Sequence, residues 1–352
     1  MQAFDRPVRF GIIGCGRMAQ IHARNSRFIA GAELAAYADV DRSRADSFID
    51  QFGGRYACDN ANRVIEDPQI DAVIIAIGPQ GHAQVGPRAA RAGKHIFMEK
   101  PIAHDYAAAM RIVSAVREAG IKFVIGFCNR QAPIVRRAKR LCPDPVITYC
   151  QCTQSISADA CHRIDLAVHL FHESSLQTVC AVGGQDFPGC EPEHAIDWFA
   201  AMLRFENGSV FNYIHHGAAG NPLLNKYHFQ LFGRDNTCVY LADKHKAVHL
   251  CVNDEVVHSL VFEGPNSSPR TAEPRCDVRG VHGYMGHMEE LELFVRIVRD
   301  DLDSPMTAEQ GAYVLAIEQA IIESAQTGKV IDMAAYMARL DEAAKAEQEV
   351  AS

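Results

Sequence analysis

Apolar positions in the first 128 residues fall into two alternating patterns. Val8–Ile13, Glu33–Ala38, Ala72–Ile77, His95–Met98 and Lys122–Phe127 are short apolar runs that read as strands. Ala72–Ile77 has no polar break and is of the kind buried on both faces of a sheet. Between these runs, Met18–Ile29, Ser43–Phe52, Gln84–Ala92 and Tyr106–Ala119 carry helical spacing, and Gly120 stops the last of them. Strand and helix in strict alternation predict a parallel sheet covered by helices.

The rhythm changes after Phe127. Val146–Gln154, Asp197–Phe205, Ser209–His215, Tyr227–Phe232, Cys238–Leu241, Ala247–Val252 and Val256–Phe262 read as strands. Short turns such as "ENGS" (206–209), "GRDN" (233–236) and "NDE" (253–255) join several of them, which predicts hairpins and a mostly antiparallel sheet. A polar, Pro-rich loop, "GPNSSPRTAEP" (264–274), precedes two helices, Gly286–Asp300 and Thr307–Thr327, and Gly328 stops the second. The charged tail "LDEAAKAEQEVAS" is expected to fray. The fold class is therefore α/β, with one domain over 1–127 and a second over 128–352, and no internal repeat is visible.

The 352-residue length suits two domains, and 48% hydrophobic with 22% charged residues is ordinary for a globular chain. A net charge of −8 argues against a nucleic-acid partner. No run of 18 apolar residues is present, so no membrane span is expected, and the N-terminus passes directly into a strand and glycine loop without a signal-peptide layout. The 12 cysteines are scattered, which reads as reduced thiols in a cytoplasmic protein. Cys150 and Cys152 alternate onto one strand face, with no second pair to complete a zinc site.

The first candidate chemistry lies in "FGIIGCGRMAQIH". Gly14-x-Gly16-x-x-Ala19 follows a strand and opens a helix. Gly14 allows the tight turn, Gly16 lets the backbone approach a pyrophosphate, and Ala19 permits close helix–strand packing. Phosphates would sit on the helix N-terminus, beside Arg17 and Met18. Asp39, 25 residues beyond Gly14 at the end of the second predicted strand, stands where a carboxylate binds adenosine ribose and repels a 2′-phosphate. This predicts NAD over NADP, with Arg42 the nearby cation that could still reach a phosphate. Asp41 and Ser43 are better placed than Asp39 to cap the next helix.

The second lies in "GKHIFMEKPIAH". The fourth predicted strand ends on Glu99-Lys100-Pro101, at the C-terminal sheet edge where ligands bind in open α/β sheets. An ammonium there can hydrogen-bond a substrate hydroxyl; the alternative is a surface ion pair. With "GIIGCGRMAQIHA", "AGKHIFMEKPIA", "GFCNR" (126–130) and "ESAQTGKVI" (323–331), the chain resembles the Gfo/Idh/MocA family of NAD(P)-dependent oxidoreductases over nearly its whole length. The resemblance implies a Rossmann domain, then an α/β domain on a large, mostly antiparallel sheet, with the active site between them. It implies that Lys100 contacts the reacting hydroxyl and the nicotinamide ribose, that Glu99 belongs to the cofactor pocket, and that the Lys-Pro bond is cis. It also places Ile77 and His82 (from "PQGH", 79–82) and Asn129 along the cofactor.

"CHRIDLAVHLFHESS" supplies the rest. His162, Asp165, His169 and His172 are spaced 3, 4 and 3 apart, so a helix would put all four on one face. Such a stripe can line an active site, bind metal or face solvent; the spacing is not a zinc-site pattern, and none is assigned. His172 reads as a solvated histidine. The family's Asp-x-x-x-His is matched here to Asp165 and His169, which implies that His169 accepts the substrate proton, Asp165 orients it and Lys100 polarises the hydroxyl. His162 is a further substrate-contact candidate. Relatives carry a glycine-rich stretch before this motif, where this chain has "SISADACHRID". Tyr227, Tyr284 and His287 are candidates for the pocket border.

The reading is an NAD-dependent dehydrogenase of a sugar, inositol or glycoside. Two alternatives are a glycosidase using NAD transiently and a non-catalytic NAD-binding sensor. An apolar outer sheet face predicts a homodimer or homotetramer.

Overall fold

The computed structural model describes residues 6–153, 156–187, 196–217, 227–242, 247–261 and 285–351. In chain order the elements begin with β1 (Val8–Ile13), α1 (Arg17–Ser26), β2 (Ala32–Ala38), α2 (Arg42–Phe52), β3 (Tyr56–Cys58), α3 (Ala61–Ile65), β4 (Ala72–Ile75) and α4 (Pro79–Arg91). They continue with β5 (His95–Met98), α5 (Tyr106–Ala119), β6 (Phe123–Ile125), α6 (Pro133–Leu141), β7 (Ile147–Thr153), α7 (Ile156–Leu166) and β8 (Leu176–Gly184). Then come β9 (Trp198–Phe205), β10 (Val210–His216), β11 (Tyr227–Phe232), β12 (Thr237–Ala242), β13 (Ala247–Val252) and β14 (Glu255–Val261). The chain closes with α8 (His287–Arg299), α9 (Ala308–Thr327), β15 (Ile331–Asp332) and α10 (Met333–Ala351).

The chain divides into two compact units. The first holds the described residues up to Cys128, with those of 285–313 and 347–351. The second holds those from Asn129 to 261, with 314–346. The division therefore differs from a cut at 127/128 alone, because α8 packs on β1, β5 and α1 of the first unit.

In the first unit six parallel strands run in the order β3-β2-β1-β4-β5-β6. The order reverses between β1 and β4, a switch point at whose C-terminal edge ligands bind. β4 and β5 are buried at every position, as expected of central strands covered on both faces. Helix signals act where the sequence places them: Asp41 accepts from the Ser43 N–H, Asp105 caps α5, and Gly120 ends α5 at φ 61°. The predicted helix Gln84–Ala92 belongs to a longer one that starts at Pro79, a first-turn proline, and ends at Arg91, with Ala92 as the C-cap.

In the second unit nine strands form a mixed sheet, β14-β13-β12-β11-β7-β10-β9-β8-β15. All neighbouring pairs are antiparallel except β7 and β10. Alternation along β9 and β10 turns Phe199, Leu203, Phe211 and Tyr213 inward and Met202 and Ile214 outward. Free thiols of Cys150 and Cys152 share the buried face of β7, as their alternation predicts.

Several elements escaped the sequence reading: β3, α3, α6, β8, β15 and α10. The charged tail belongs to α10, which is helical through Ala351 and packs by buried Met333, Tyr336 and Ala344. No helix among the described residues is long and apolar enough to cross a membrane.

Candidate active site

The glycine loop has the geometry that the motif requires. Gly14 lies at φ 90°, and a Cβ there would come within 2.5 Å of both the Ala76 carbonyl oxygen and Ile77 Cγ2. Only glycine fits. Gly16, the N-cap of α1, faces open space and makes no side-chain cap, so the first amides of α1, at Arg17 and Met18, remain available to an anion. Asp39 turns back to the loop: Oδ2 accepts from the Cys15 N–H at 2.7 Å and Oδ1 from the Asp41 N–H at 2.9 Å. A cavity of about 570 Å³ beside it is lined by Cys15, Gly16, Arg17, Gln20, Ser43 and Arg44. Arg42 is bound to Asp46 at 2.8 Å, and Arg44 lies 3.4 Å from Asp41, so both nearby arginines already face carboxylates.

At the edge of β5 the two charges are handled differently. Glu99 is buried and its Oε1 meets His22 Nε2 at 2.7 Å, whereas Lys100 is half-buried. Burial would raise the Glu99 carboxyl; the hydrogen bond and charge of His22, followed by Lys100 and His287, outweigh it and hold it down at about 2. The pair is thus no exposed surface bridge. Lys100–Pro101 is cis, as the resemblance implies. The Pro101 carbonyl accepts from His82 Nδ1 at 2.9 Å. His82 sits inside α4, fully buried; burial lowers its pKa, and its Nε2 has no hydrogen-bond partner among the described residues.

In the second unit the histidine stripe is broken. α7 ends at Leu166 and Ala167–Phe171 form a π-helical turn, so His162 and Asp165 lie buried on α7 while His169 sits half-buried in the wider turn. Such single π turns recur at functional sites. Asp165 does not bond His169. Its two oxygens are held by Arg130, with Nε 3.0 Å from Oδ2 and a second, shorter bond to Oδ1. Burial pushes the Asp165 carboxyl up and Arg130 pulls it back. Asn129, beside Arg130 in the 3-10 turn Cys128–Gln131, is 1% exposed and neither amide atom has a hydrogen-bond partner among the described residues.

His172 is not solvated, contrary to expectation. It follows the π turn in extended conformation and stacks on Phe205 at 4.2 Å. Its ring nitrogens meet the hydroxyls of Thr148 and Ser209, each at 2.8 Å. Ser209 Oγ donates to Asn207, so His172 Nδ1 is the donor and Nε2 the acceptor: a neutral structural histidine. Tyr227 is buried with the Arg163 guanidinium 3.7 Å over its ring, and His287 opens α8, also buried. Tyr284 lies outside the described residues. Arg130 and Arg163 were missed as partners. The signal for Arg130 was its place beside Asn129 in "GFCNR"; for Arg163 it was the i,i+4 spacing to Asp159 on α7, which it meets at 3.4 Å.

A switch-point sheet and an open glycine loop, with Asp39 bonded to the loop at Cys15, define a dinucleotide-binding α/β protein. Residues 8–127 match the family description "Oxidoreductase family, NAD-binding Rossmann fold", and residues 155–333 match "Oxidoreductase family, C-terminal alpha/beta domain". The chain belongs to the Gfo/Idh/MocA family, and residues 8–127 of its first unit match the family's NAD-binding domain. It is 33% identical to an inositol 2-dehydrogenase of Acidothermus cellulolyticus over 52% of this chain and 59% of that one. It is 27% identical to the uncharacterized oxidoreductase YrbE of Bacillus subtilis over 57% and 64%. The matched stretches thus span less than two thirds of these relatives. A levoglucosan dehydrogenase solved with NADH and levoglucosan shares the fold at TM-score 0.78 and 20% identity, covering 93% of this chain and 99% of that one. An Agrobacterium radiobacter oxidoreductase solved with NAD+, L-tartaric acid and magnesium shares it at 0.77 and 18%, with the same coverage.

Proposed function

We propose that the protein is an NAD-dependent dehydrogenase that oxidises a secondary hydroxyl of a sugar, inositol or glycoside. The observation that carries this is Lys100, half-buried at the C-terminal edge of β5 beside a buried anion, in the unit that holds the open glycine loop. Family membership and relatives named as inositol 2-dehydrogenases support the substrate class.

The amides opening α1 would hold the pyrophosphate, Asp39 the adenosine ribose, and Ile77, His82 and Asn129 would lie along the nicotinamide half. His82 Nε2 and the Asn129 amide, which have no hydrogen-bond partner among the described residues, fit such a guest, because a buried polar atom is costly until a ligand completes it. The carboxylate of Asp39, with Arg42 and Arg44 already paired, favours NAD over NADP. Bound there, NAD would supply the acceptor for the hydride leaving the carbinol carbon.

Lys100 would donate a hydrogen bond to the hydroxyl oxygen and stabilise charge as its proton departs. A histidine would take that proton, its ordinary pKa suiting neutral pH. His169 is the first candidate, being half-buried in the π turn. Asp165, clamped by Arg130, bonds neither His169 nor His162, the second candidate one helical turn before it on α7. Asp165 and Arg130 would then shape the substrate side. A homodimer or homotetramer in the cytoplasm completes the reading.

The test is a panel of inositols, hexoses, anhydro-sugars and glycosides with NAD, followed by NADH absorbance. NADH should form with at least one, and Lys100→Ala should lower kcat/KM by about a hundredfold or more. Tight NAD binding without NADH from any polyol, or full turnover in Lys100→Ala, overturns the proposal. His162→Asn and His169→Asn, compared for kcat, identify the proton acceptor.

A further inference from the structure

The sheet of the second unit sets two thiols face to face, away from the residues assigned to chemistry. Register along β12 and β13 places Cys238 directly opposite Cys251. Among the described residues no other rung of either sheet pairs cysteine with cysteine. Partners on one antiparallel rung project to the same face. Val239 and Leu241, the alternate residues of β12, fill the buried face, so both thiols lie on the outer one. Tyr240 and His249, the next rung of that face, already meet, their rings stacked 6.2 Å apart. Both cysteines are free and half-buried. A fully buried cysteine such as Cys150 packs as a small hydrophobe, but packing does not explain two on a half-exposed rung.

The backbone holds the pair at bonding range. Asn253 N–H donates to the Asn236 carbonyl at 3.4 Å, which marks 236/253 as a hydrogen-bonded rung. Such rungs alternate, so Cys238 and Cys251 form another, with Cα atoms about 5.5 Å apart. A disulfide spans Cα separations of about 4.4–6.8 Å, though its Cβ atoms must close to about 3.5–4.5 Å. β13 can yield there: its ladder with β14 shifts between Leu250 and Cys251, leaving Val257 out of the pairing.

We propose that Cys238 and Cys251 are a redox-active dithiol that closes reversibly to a cross-strand disulfide by exchange with an oxidised low-molecular-weight thiol. One thiolate attacks the small disulfide, forms a mixed disulfide and releases the first small thiolate. The second thiolate attacks the protein sulfur of that bond, forms the Cys238–Cys251 bond and releases the other. The two cysteines lose two electrons, the small disulfide gains them, and the two cysteine protons end on the released thiols. Burial, and then Cys251, raise the pKa of the Cys238 thiol, so exchange quickens toward alkaline pH. Drawing the strands together leaves a bond that thiols readily reduce, which suits a switch better than a permanent staple. The pair sits on β12 and β13, beyond β11 and β7 from the apolar residues of β8–β10, and does not depend on the dehydrogenase reading.

The test equilibrates the full chain with mixtures of reduced and oxidised glutathione, then alkylates free thiols and maps the peptides by mass spectrometry. A Cys238–Cys251 link within one chain should rise with the oxidised fraction, exceed any other link at least about tenfold and vanish on reduction with dithiothreitol. Cys180 on β8 faces Met202 and should remain alkylatable or carry only glutathione. Cys238→Ser and Cys251→Ser should each lose the link and trap glutathione on the remaining cysteine. Both thiols alkylated at every ratio in the wild-type chain, with circular dichroism unchanged, overturns the proposal. So does a wild-type reaction that stops at glutathione on either cysteine, or that links two chains instead of two strands. The deciding readout is on the wild-type chain, so it stands even where a serine variant does not fold.

Discussion

Arg130 grips both carboxylate oxygens of Asp165 inside the second unit, where Asp165 has no exposed surface and Arg130 only 6%. Two forked N–H bonds satisfy a carboxylate more fully than an imidazole could, and this sets what each residue does. Arg130→Ala is expected to cost about 3–5 kcal/mol, because it leaves a buried charge unpaired. Burial already raises the Asp165 carboxyl, so the folded variant binds its proton more readily than the unfolded chain does. The variant's deficit should accordingly be small in acid and grow as pH rises through the raised pKa. Urea unfolding at about pH 5.5 and about pH 8 checks the sign, and Arg130→Met with Asp165→Asn should recover most of the loss.

The two loop glycines should separate folding from binding. Gly14→Ala places a Cβ against the Ala76 carbonyl at positive φ, so a stability loss of about 2 kcal/mol or more is expected together with loss of NAD binding. Gly16→Ala meets nothing in the protein and has ordinary φ, so stability should change by less than about 0.5 kcal/mol. NAD affinity should nevertheless fall at least about tenfold, because the methyl group occupies the approach of the pyrophosphate. Thermal unfolding paired with NAD titration by fluorescence separates the two outcomes.

His172 makes an acid-stability prediction with a defined sign. Burial, and then Lys139, depress its pKa to about 4, below the ordinary imidazole range near 6.5. The unfolded chain therefore takes up the proton first as pH falls. Stability is full above about pH 6.5 and declines down to about pH 4, by at most about 1.4 kcal/mol per pH unit for this group. His95, depressed to about 4 by burial against the opposing charge of Asp71, adds a second such proton in the first unit. His172→Gln, able to bond both hydroxyls without titrating, should flatten the profile by one proton. Unfolding curves at stepped pH count the protons.

The first unit was legible because its signals are local. Ala72–Ile75 and His95–Met98 show their burial as unbroken apolar runs, and Asp41, Gly120 and Gly14 act through their own backbone. β3 escaped notice because three residues carry no period, and β8 because "LQTVCAVGG" ends in glycines that mask its alternation. The histidine stripe misled for a different reason. Spacing of 3 and 4 assumes an unbroken α-helix, and the π turn after Leu166 followed by extended backbone at His172 sends the four side chains to different surroundings. Arg130 for Asp165 and His22 for Glu99 are partnerships between distant segments, and the chain's pattern does not say which acid each base meets.

The outer face of the second sheet carries the last prediction. Val182 on β8, Met202 on β9 and Ile214 on β10 are 59%, 47% and 37% exposed. Pairing of Met202 with Asn212, and of Ala200 with both Ile214 and Val182, sets them side by side across three strands. Together with Tyr149 they line a shallow hollow of about 360 Å³. Each buried square ångström of such surface yields about 25 cal/mol, so a second copy laid on the same face gains stability from contacts each copy already displays. Light scattering at micromolar concentration should give a dimer or tetramer. Met202→Glu with Ile214→Glu should shift it to monomer without unfolding, because both side chains point away from the core. A wild-type monomer across the concentration range, or an assembly untouched by the double substitution, would assign this face some other role.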